Sequence, residues 1–247
     1  VPPDWVVLAL LFFAAALLYA SVGHAGASAY LAAMSLVGIA PDVMRPTALV
    51  LNLFVASIVI VRFHRAGALP WRQLLPLAIG SVPAAFVGGT IDLPAAVYRP
   101  LVAVVLLAGA WRLATARVSA TEERKRDGVP FGWGILAGAG IGLLAGLSGT
   151  GGGIFLTPLL VLAGWTATRE AAGLSGAFIL VNSVAGITGL LTGGVALPSA
   201  LPAWVGSVVA GGLIGSWLGA ARFSILQLRR VLALVLVIAA VKLVAFP

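Results

Sequence analysis

No cysteine occurs among the 247 residues, which excludes disulfides, thiolate metal sites and cysteine nucleophiles. Histidine is nearly as scarce. His24 and His64 both lie in the first half and are too few for a histidine-rich metal centre. Only seven acidic residues are present, and Asp4, Asp42, Asp92 and Glu170 fall near the ends of apolar stretches, so buried acids are few. No nucleotide-binding motif appears, and no cofactor or metal is expected. Charged residues make up 9% of the chain. The longest polar stretch, Ser119 to Asp127, is too short to fold as a soluble domain.

What remains is apolar. Hydrophobic residues reach 61%, a composition foreign to water-soluble domains of this length. At about 20 residues per crossing there is room for roughly eight to ten spans. The expected class is an all-α polytopic membrane protein with the lipid bilayer as its main partner. A net charge of +8 does not indicate nucleic acid, because the basic residues sit at span ends rather than among interleaved aromatics. The chain opens without methionine, which reads as a trimmed start. Its first apolar run continues into the fold rather than forming a separate signal peptide.

Apolar segments cover residues 5–22, 29–40, 46–62, 74–91, 96–114, 131–147, 153–164, 169–190, 200–220 and 227–246. The basic stretch from Arg117 divides them five and five. The two halves share an order of landmarks: a long segment, a glycine break, and a short segment ending near Gly38 or Gly164. Then come Arg45 or Arg169, Asn52 or Asn182, the Leu69-Pro70 or Leu197-Pro198 pair, and Gly80-Ser81 or Gly206-Ser207. An ordered set of this kind argues for an internal repeat. The resulting division is a first repeat over 1–116, a basic loop over 117–130 and a second repeat over 131–247.

Charge orients the halves. Arg62, Arg65 and Arg72, the central group from Arg112 to Arg126, and Arg222, Arg229 and Arg230 form three clusters. Placing them in the cytoplasm by the positive-inside rule brings Arg169 with them and leaves Arg45, Arg99 and Lys242 outside. The counterpart of the basic Arg62–Arg72 connection, Thr192 to Leu197, carries no charge. Matching loops therefore face opposite sides, and the repeat is expected to be inverted. Both termini are expected outside the cell (inner) membrane, with the loop 117–130 cytoplasmic. Segments 29–40 and 153–164 are too short to span. Each is expected to form a broken or re-entrant helical hairpin with its predecessor, its tip near mid-membrane.

The break Gly146-Leu147-Ser148-Gly149-Thr150-Gly151-Gly152-Gly153 carries the strongest functional signal. A fainter version, Gly23-His24-Ala25-Gly26, lies about 126 residues earlier. Backbone freed from its helix inside a bilayer is costly unless it lines a protein-enclosed cavity. Helix N-termini carry unpaired N–H groups and the positive end of the helix dipole, and small residues let an anion approach them. Two tips entering from opposite sides are expected to hold one oxyanion without a buried lysine or arginine, with Ser28, Ser148 and Thr150 as hydroxyl donors. On this reading Gly152→Leu removes binding and leaves the protein folded and inserted. The alternative reading of the glycines is close helix packing. Asn52 and Asn182 sit inside apolar segments, as site residues or as interhelical glue. His24 lies at the first tip as an anion donor, a proton carrier or a cap. Arg45 and Arg169 read as snorkelling to opposite interfaces, and Trp5, Trp71, Trp133, Trp165 and Trp204 as an interfacial belt.

Gly149-Thr150-Gly151-Gly152-Gly153 followed by Thr157-Pro158-Leu159 resembles the glycine-rich motif of the TauE/SafE family, the sulfite-exporter-like anion permeases. Tyr19-Ala20-Ser21-Val22-Gly23-His24-Ala25-Gly26-Ala27-Ser28 is similar to the first-half motif of one branch, with Ala25 and Ala27 where glycines stand in the fuller pattern. The likeness covers essentially the whole chain. It implies an inner-membrane transporter of small sulfur-containing anions such as sulfite, thiosulfate or sulfonates.

The expected function is therefore a secondary transporter working by alternating access on a small anion, driven by an ion gradient or by the substrate's own gradient. A proton or another ion is the coupling option, and a homodimer the option for assembly. A passive anion channel and a permease for small carboxylates are the alternatives. An intramembrane protease is disfavoured: Gly146-Leu147-Ser148-Gly149 fits the Gly-x-Ser-Gly pattern of rhomboid proteases, but no histidine follows Ser148 to act as base.

Overall fold

The computed structural model describes the backbone of residues 3–115, 128–195, 197–218 and 225–245, with side chains excepted at 3–4, 112–113, 115, 225–232 and 235. Much of the basic loop 117–130, and Arg222, lie outside the described residues. So do the side chains of Arg112, Arg229 and Arg230.

Ten helices and no strand are found among the described residues: α1 (Pro3–Ser21), α2 (Ala27–Val37), α3 (Pro41–Arg65), α4 (Trp71–Thr90) and α5 (Ala95–Thr115), then α6 (Phe131–Ser148), α7 (Gly153–Leu162), α8 (Thr168–Leu191), α9 (Leu201–Leu218) and α10 (Ile225–Ala245). Each corresponds to one apolar segment of the sequence. Pro41 opens α3 at its first turn, where a missing N–H costs nothing. The helix therefore begins several residues before the apolar run. Helices α3, α4, α6, α8 and α9 are long and apolar enough to cross a membrane. Their outward faces carry large apolar side chains such as Leu136, Leu213 and Trp217, as lipid contact requires. By contrast α2 and α7 have 11 and 10 residues, about 15–17 Å of helix.

Glycine seams draw the long helices together. A Cβ added at Gly138, Gly142 or Gly146 of α6 would fall 2.2, 2.4 and 2.2 Å from the carbonyl oxygens of Leu77, Ser81 and Ala85 on α4. Four-residue spacing puts the three glycines on one face, and close backbone approach is the usual basis of helix association in membranes. Gly211 and Gly215 of α9 meet Phe13 and Leu17 of α1 in the same way, at 2.3 and 2.0 Å. Gly142→Ala is expected to lower stability by about 1–3 kcal/mol through overpacking. Gly140→Ala, where an added Cβ meets nothing within 4 Å, should leave the melting temperature unchanged. Scanning fluorimetry in detergent separates the two.

The packing partners form matched sets. Helix α4 lies on α6 and on α8, while α9 lies on α1 and on α3; α3 packs on α8, and α5 on α10. Short helix α2 packs on α10, and α7 on α8 and α5. A buried aromatic knot joins α1, α2 and α9: Phe12 meets Tyr30 and Trp204 edge-to-face, each at 5.4 Å. Trp204 is thus a core residue, 1% exposed, with Nε1 donating to Trp5 O at 3.2 Å. Its expected place in an interfacial belt is corrected. Its proximity to a span end hid that it faces inward onto α1. Trp71 and Trp133 are exposed, as a belt requires.

Each long–short pair begins and ends at the same end of the bundle. Trp5 at the start of α1 lies against Trp204, and α2 ends beside the cavity that Gly38 and Pro41 line, at the Arg45 end of α3. Helix α6 starts where Gly134 meets Pro76. Helix α7 ends in the cluster of Leu160, Leu69 and Leu74, at the Arg65 end.

Candidate functional site

The α6–α7 break is built by left-handed glycines. Gly149 closes α6 at φ +84°, and Gly151 and Gly152 follow at +70° and +82°. These are conformations in which other residues are strained. The consequence is a sharp bend between α6 and α7. Among the described residues no acceptor meets the N–H of Gly151, Gly152 or Gly153, whereas Gly149 N donates to Ala145 O at 2.9 Å. All three glycines are buried. With α7 starting at Gly153 and no side-chain cap on it, the positive end of its dipole lies at this bend.

Two carboxamides border this bend. Asn52 of α3 and Asn182 of α8 are both 0% exposed. A Cβ at Gly151 would lie 3.0 Å from Asn52 Nδ2 and 3.1 Å from Ser183 Oγ. Asn52 Nδ2 donates to Ser183 Oγ at a long 3.4 Å. Its Oδ1 has no partner, and neither Oδ1 nor Nδ2 of Asn182 has one. Asn182 lies on α8 one turn from Phe178, whose ring a Cβ at Gly152 would touch at 2.8 Å. One turn the other way is Gly186, whose added Cβ would lie 3.7 Å from Gly146 Cα. Both neighbours flank the break. An unpaired buried amide costs about 1–3 kcal/mol per group, so these three atoms on α3 and α8 carry a cost that a polar partner would relieve.

The hydroxyls are occupied. Ser148 Oγ donates to Leu144 O at 2.6 Å, which leaves Thr150 Oγ1 to donate to Ser148 Oγ at 2.8 Å. Ser28 Oγ is paired with Tyr19 OH at 2.7 Å. Neither Ser148 nor Thr150 then has a hydroxyl proton directed at the glycine bend.

The first break does not face the second head-on. Gly23 lies against Phe63 and Ala172, near the Arg65 end of α3, while Gly149 lies against Arg45 at the other end. The two loops pass side by side. His24 Nε2 meets Thr157 Oγ1 of α7 at 2.9 Å, and Thr157 meets Ser175 Oγ of α8 at 2.5 Å. Gly26 packs on Tyr30 and Tyr19. The candidates therefore fall into two groups. Ser148, Gly149, Thr150, Gly151, Gly152 and Gly153 gather with Asn52 and Asn182; Gly23, His24, Gly26 and Ser28 form a neighbouring cluster tied in through Thr157. The two breaks thus lie toward opposite ends of α3 and are joined through the His24–Thr157 contact. A Cβ at Gly152 would also meet Ile141 Cγ2 at 2.8 Å, so Gly152→Leu disturbs packing as well as the bend.

Arg45 differs most from its sequence reading. It is 5% exposed. Nε donates to Gly146 O at 2.8 Å, Nη1 to Ile91 O at 2.9 Å, and Nη2 to Gly88 O. It does not snorkel; it clamps the ends of α4 and α6. Tyr98 OH donates to Ser148 O at 3.1 Å from the other side. A cavity of about 310 Å³ lined by Arg45, Asp42, Asp92 and Tyr98 opens there. Residues overlooked in the sequence are Ser175 and Ser183, eight apart on α8. Their hydroxyls at helical spacing in an apolar segment were the available signal.

The chain is similar in sequence to known proteins. Residues 8–243 match the model of the family described as "Sulfite exporter TauE/SafE". The chain is 39% identical over 238 residues to "Probable membrane transporter protein y4hK" of Sinorhizobium fredii, covering 96% of both chains. It is 28% identical over 144 residues to a "Probable membrane transporter protein" of Methanocaldococcus jannaschii, covering 56% of this chain and 52% of the other. No solved structure matches. With buried carboxamides, a glycine-rich helix start and a family match spanning nearly its full length, the chain belongs to the TauE/SafE family.

Proposed function

We propose that this protein is a secondary transporter of small sulfur-containing oxyanions or sulfonates, acting by alternating access in the cell inner membrane. The observation that carries the reading is the set of unpaired, fully buried atoms on Asn52 and Asn182 beside the free N–H groups of Gly151, Gly152 and Gly153. Backbone donors at a helix start bind oxyanions without a fixed counter-charge. A neutral site of this kind can release what it binds. The transporter role agrees with the printed names of the relatives, and the sulfur chemistry with the description of the family.

The matched packing supports an inverted repeat of 1–116 and 131–247. Exchanging α1–α5 with α6–α10 turns α4-on-α6 into α9-on-α1 and α4-on-α8 into α9-on-α3. The same exchange turns α2-on-α10 into α7-on-α5. The long–short pairs then read as re-entrant hairpins entering from opposite sides. Sidedness has support as well. Arg99 and Lys242 line one cavity, Arg45 lines another, and Pro41 belongs to both. The three basic residues assigned outside thus cluster at one end. Gly173 abuts Ala68 O, which puts the start of α8, with Arg169, beside the basic 62–72 connection at the other end.

A thermal-shift panel of sulfite, thiosulfate, sulfate, sulfoacetate, taurine and small carboxylates tests the substrate class. Stabilisation by sulfur oxyanions, with saturable uptake into proteoliposomes, is the expected result. Stabilisation by carboxylates alone would move the substrate class. Unsaturable flux that follows the membrane potential alone would make the protein a channel.

A further inference from the structure

We infer that His24 carries a co-transported proton and reports its protonation to the anion site through Thr157 and Ser175. The inference rests on the oxyanion reading above and names the ion coupled to it.

Among the described residues the buried ionisable side chains are Tyr19, His24, Tyr30, Arg45 and Tyr98. Of these types only histidine ordinarily changes charge near neutral pH. No buried carboxylate competes for the role among the described residues. The described neighbours of His24 are as follows. Helix α7 and the stretch of α8 from Ala172 to Asn182 contain no ionisable residue. Helix α1 contributes Tyr19 and α2 contributes Tyr30. Near Gly23, α3 ends with Arg62, His64 and Arg65, and α8 begins with Arg169 and Glu170, none of them buried.

The hydrogen bonds fix a direction. His24 Nδ1 lies 3.3 Å from Val22 O. A carbonyl only accepts, so Nδ1 carries the proton of the neutral ring, and Nε2 accepts from Thr157 Oγ1. Thr157 has one proton to give, so the 2.5 Å contact is then a donation from Ser175 to Thr157. A proton added at Nε2 reverses the chain. Nε2–H donates to Thr157 Oγ1, and the Thr157 hydroxyl turns to Ser175 Oγ or to Gly153 O at 3.3 Å. No covalent bond breaks elsewhere. The Ser175 hydroxyl proton is freed next to the start of α7, since a Cβ at Gly153 would lie 3.6 Å from Ser175 Cβ. Charging His24 therefore adds a positive charge near the helix N-terminus and releases a donor beside it. Both changes favour an anion. Because the chain runs from the first half into α7 and α8, relative movement of the halves breaks it, which couples proton release to anion release.

The test measures anion affinity and proton uptake on the full-length protein across roughly pH 5.5 to 8.5, which brackets the ordinary histidine range. Sulfite and sulfoacetate serve as probes, with a pH indicator in weak buffer. Wild type should bind more tightly as pH falls, by up to about tenfold per unit for one linked proton, and take up about one proton per anion. For a probe such as sulfite that itself protonates in this range, the sulfoacetate arm is decisive. His24→Gln should lose the pH dependence and the proton uptake. Thr157→Val, which keeps His24 but cuts the chain, should weaken the linkage severalfold and covers the case in which His24→Gln does not fold. Proton uptake retained in His24→Gln, or pH-independent binding by wild type, overturns the inference and leaves the anion site standing. Wild type that binds none of the sulfur oxyanions removes the site itself and the coupling with it.

Discussion

Asn182→Leu is expected to abolish oxyanion binding while leaving the ligand-free protein as stable as before, or more stable. The side chain is wholly buried and neither of its polar atoms has a partner. An unsatisfied amide of this kind costs about 1–3 kcal/mol, and leucine fills a similar volume without that cost. Binding is the opposite case. A hydrogen bond to a charged ligand is worth about 1.5–3 kcal/mol, so affinity should fall at least about 12-fold, and further where leucine crowds the bend. Melting curves with and without sulfite measure both terms in one experiment. If the carboxamide is interhelical glue instead, the variant will melt lower and still bind. Asn52→Leu should behave similarly, with a small loss from its 3.4 Å bond to Ser183.

Arg45→Met is expected to produce the largest stability loss of any single side-chain truncation discussed. The guanidinium donates to the carbonyls of Gly88, Ile91 and Gly146, at the C-terminal ends of α4 and α6, where helix dipoles favour a cation. Methionine replaces the stem but leaves three carbonyls without that donor. The cost is at least about 3 kcal/mol, a fall of roughly 6–12 °C in melting temperature for a chain of this size. Arg45→Lys keeps the charge but not the planar fork and should recover less than half. A near-normal melting temperature with lost transport would instead make Arg45 a substrate contact.

The legible parts of the sequence were those with local causes. Glycine at 149–153 and at 23–26 breaks helices wherever the rest of the chain places them, so α2 and α7 came out short, as expected. Asparagine in an apolar segment is conspicuous for its cost, and both asparagines proved buried. Non-local outcomes were not legible. Arg45 looked like a snorkelling residue because its acceptors come from the ends of two other helices. Trp204 looked interfacial because nothing near it in sequence shows that α9 turns that face onto α1. The sequence also led us to expect two tips brought together from opposite sides. Their side-by-side passage depends on how far α1 and α6 run before breaking, a matter of tertiary packing against Phe63 and Arg45. The glycines around the break had two readings, and the packing one holds for those within α6. Gly138, Gly142 and Gly146 lie in the packing seam, whereas Gly151 and Gly152 form the bend.

A small oxyanion is expected to bind at the start of α7. Crystals soaked in selenite, the heavier congener of sulfite, and measured at the selenium edge test it most directly. The expected result is an anomalous peak within about 4 Å of the N–H groups of Gly151 to Gly153 and of the Asn182 carboxamide, which leaves the selenite oxygens at about 3 Å from those donors. A peak confined to the Arg99–Lys242 cavity, or no peak at the bend in crystals of protein that binds selenite in solution, would contradict it.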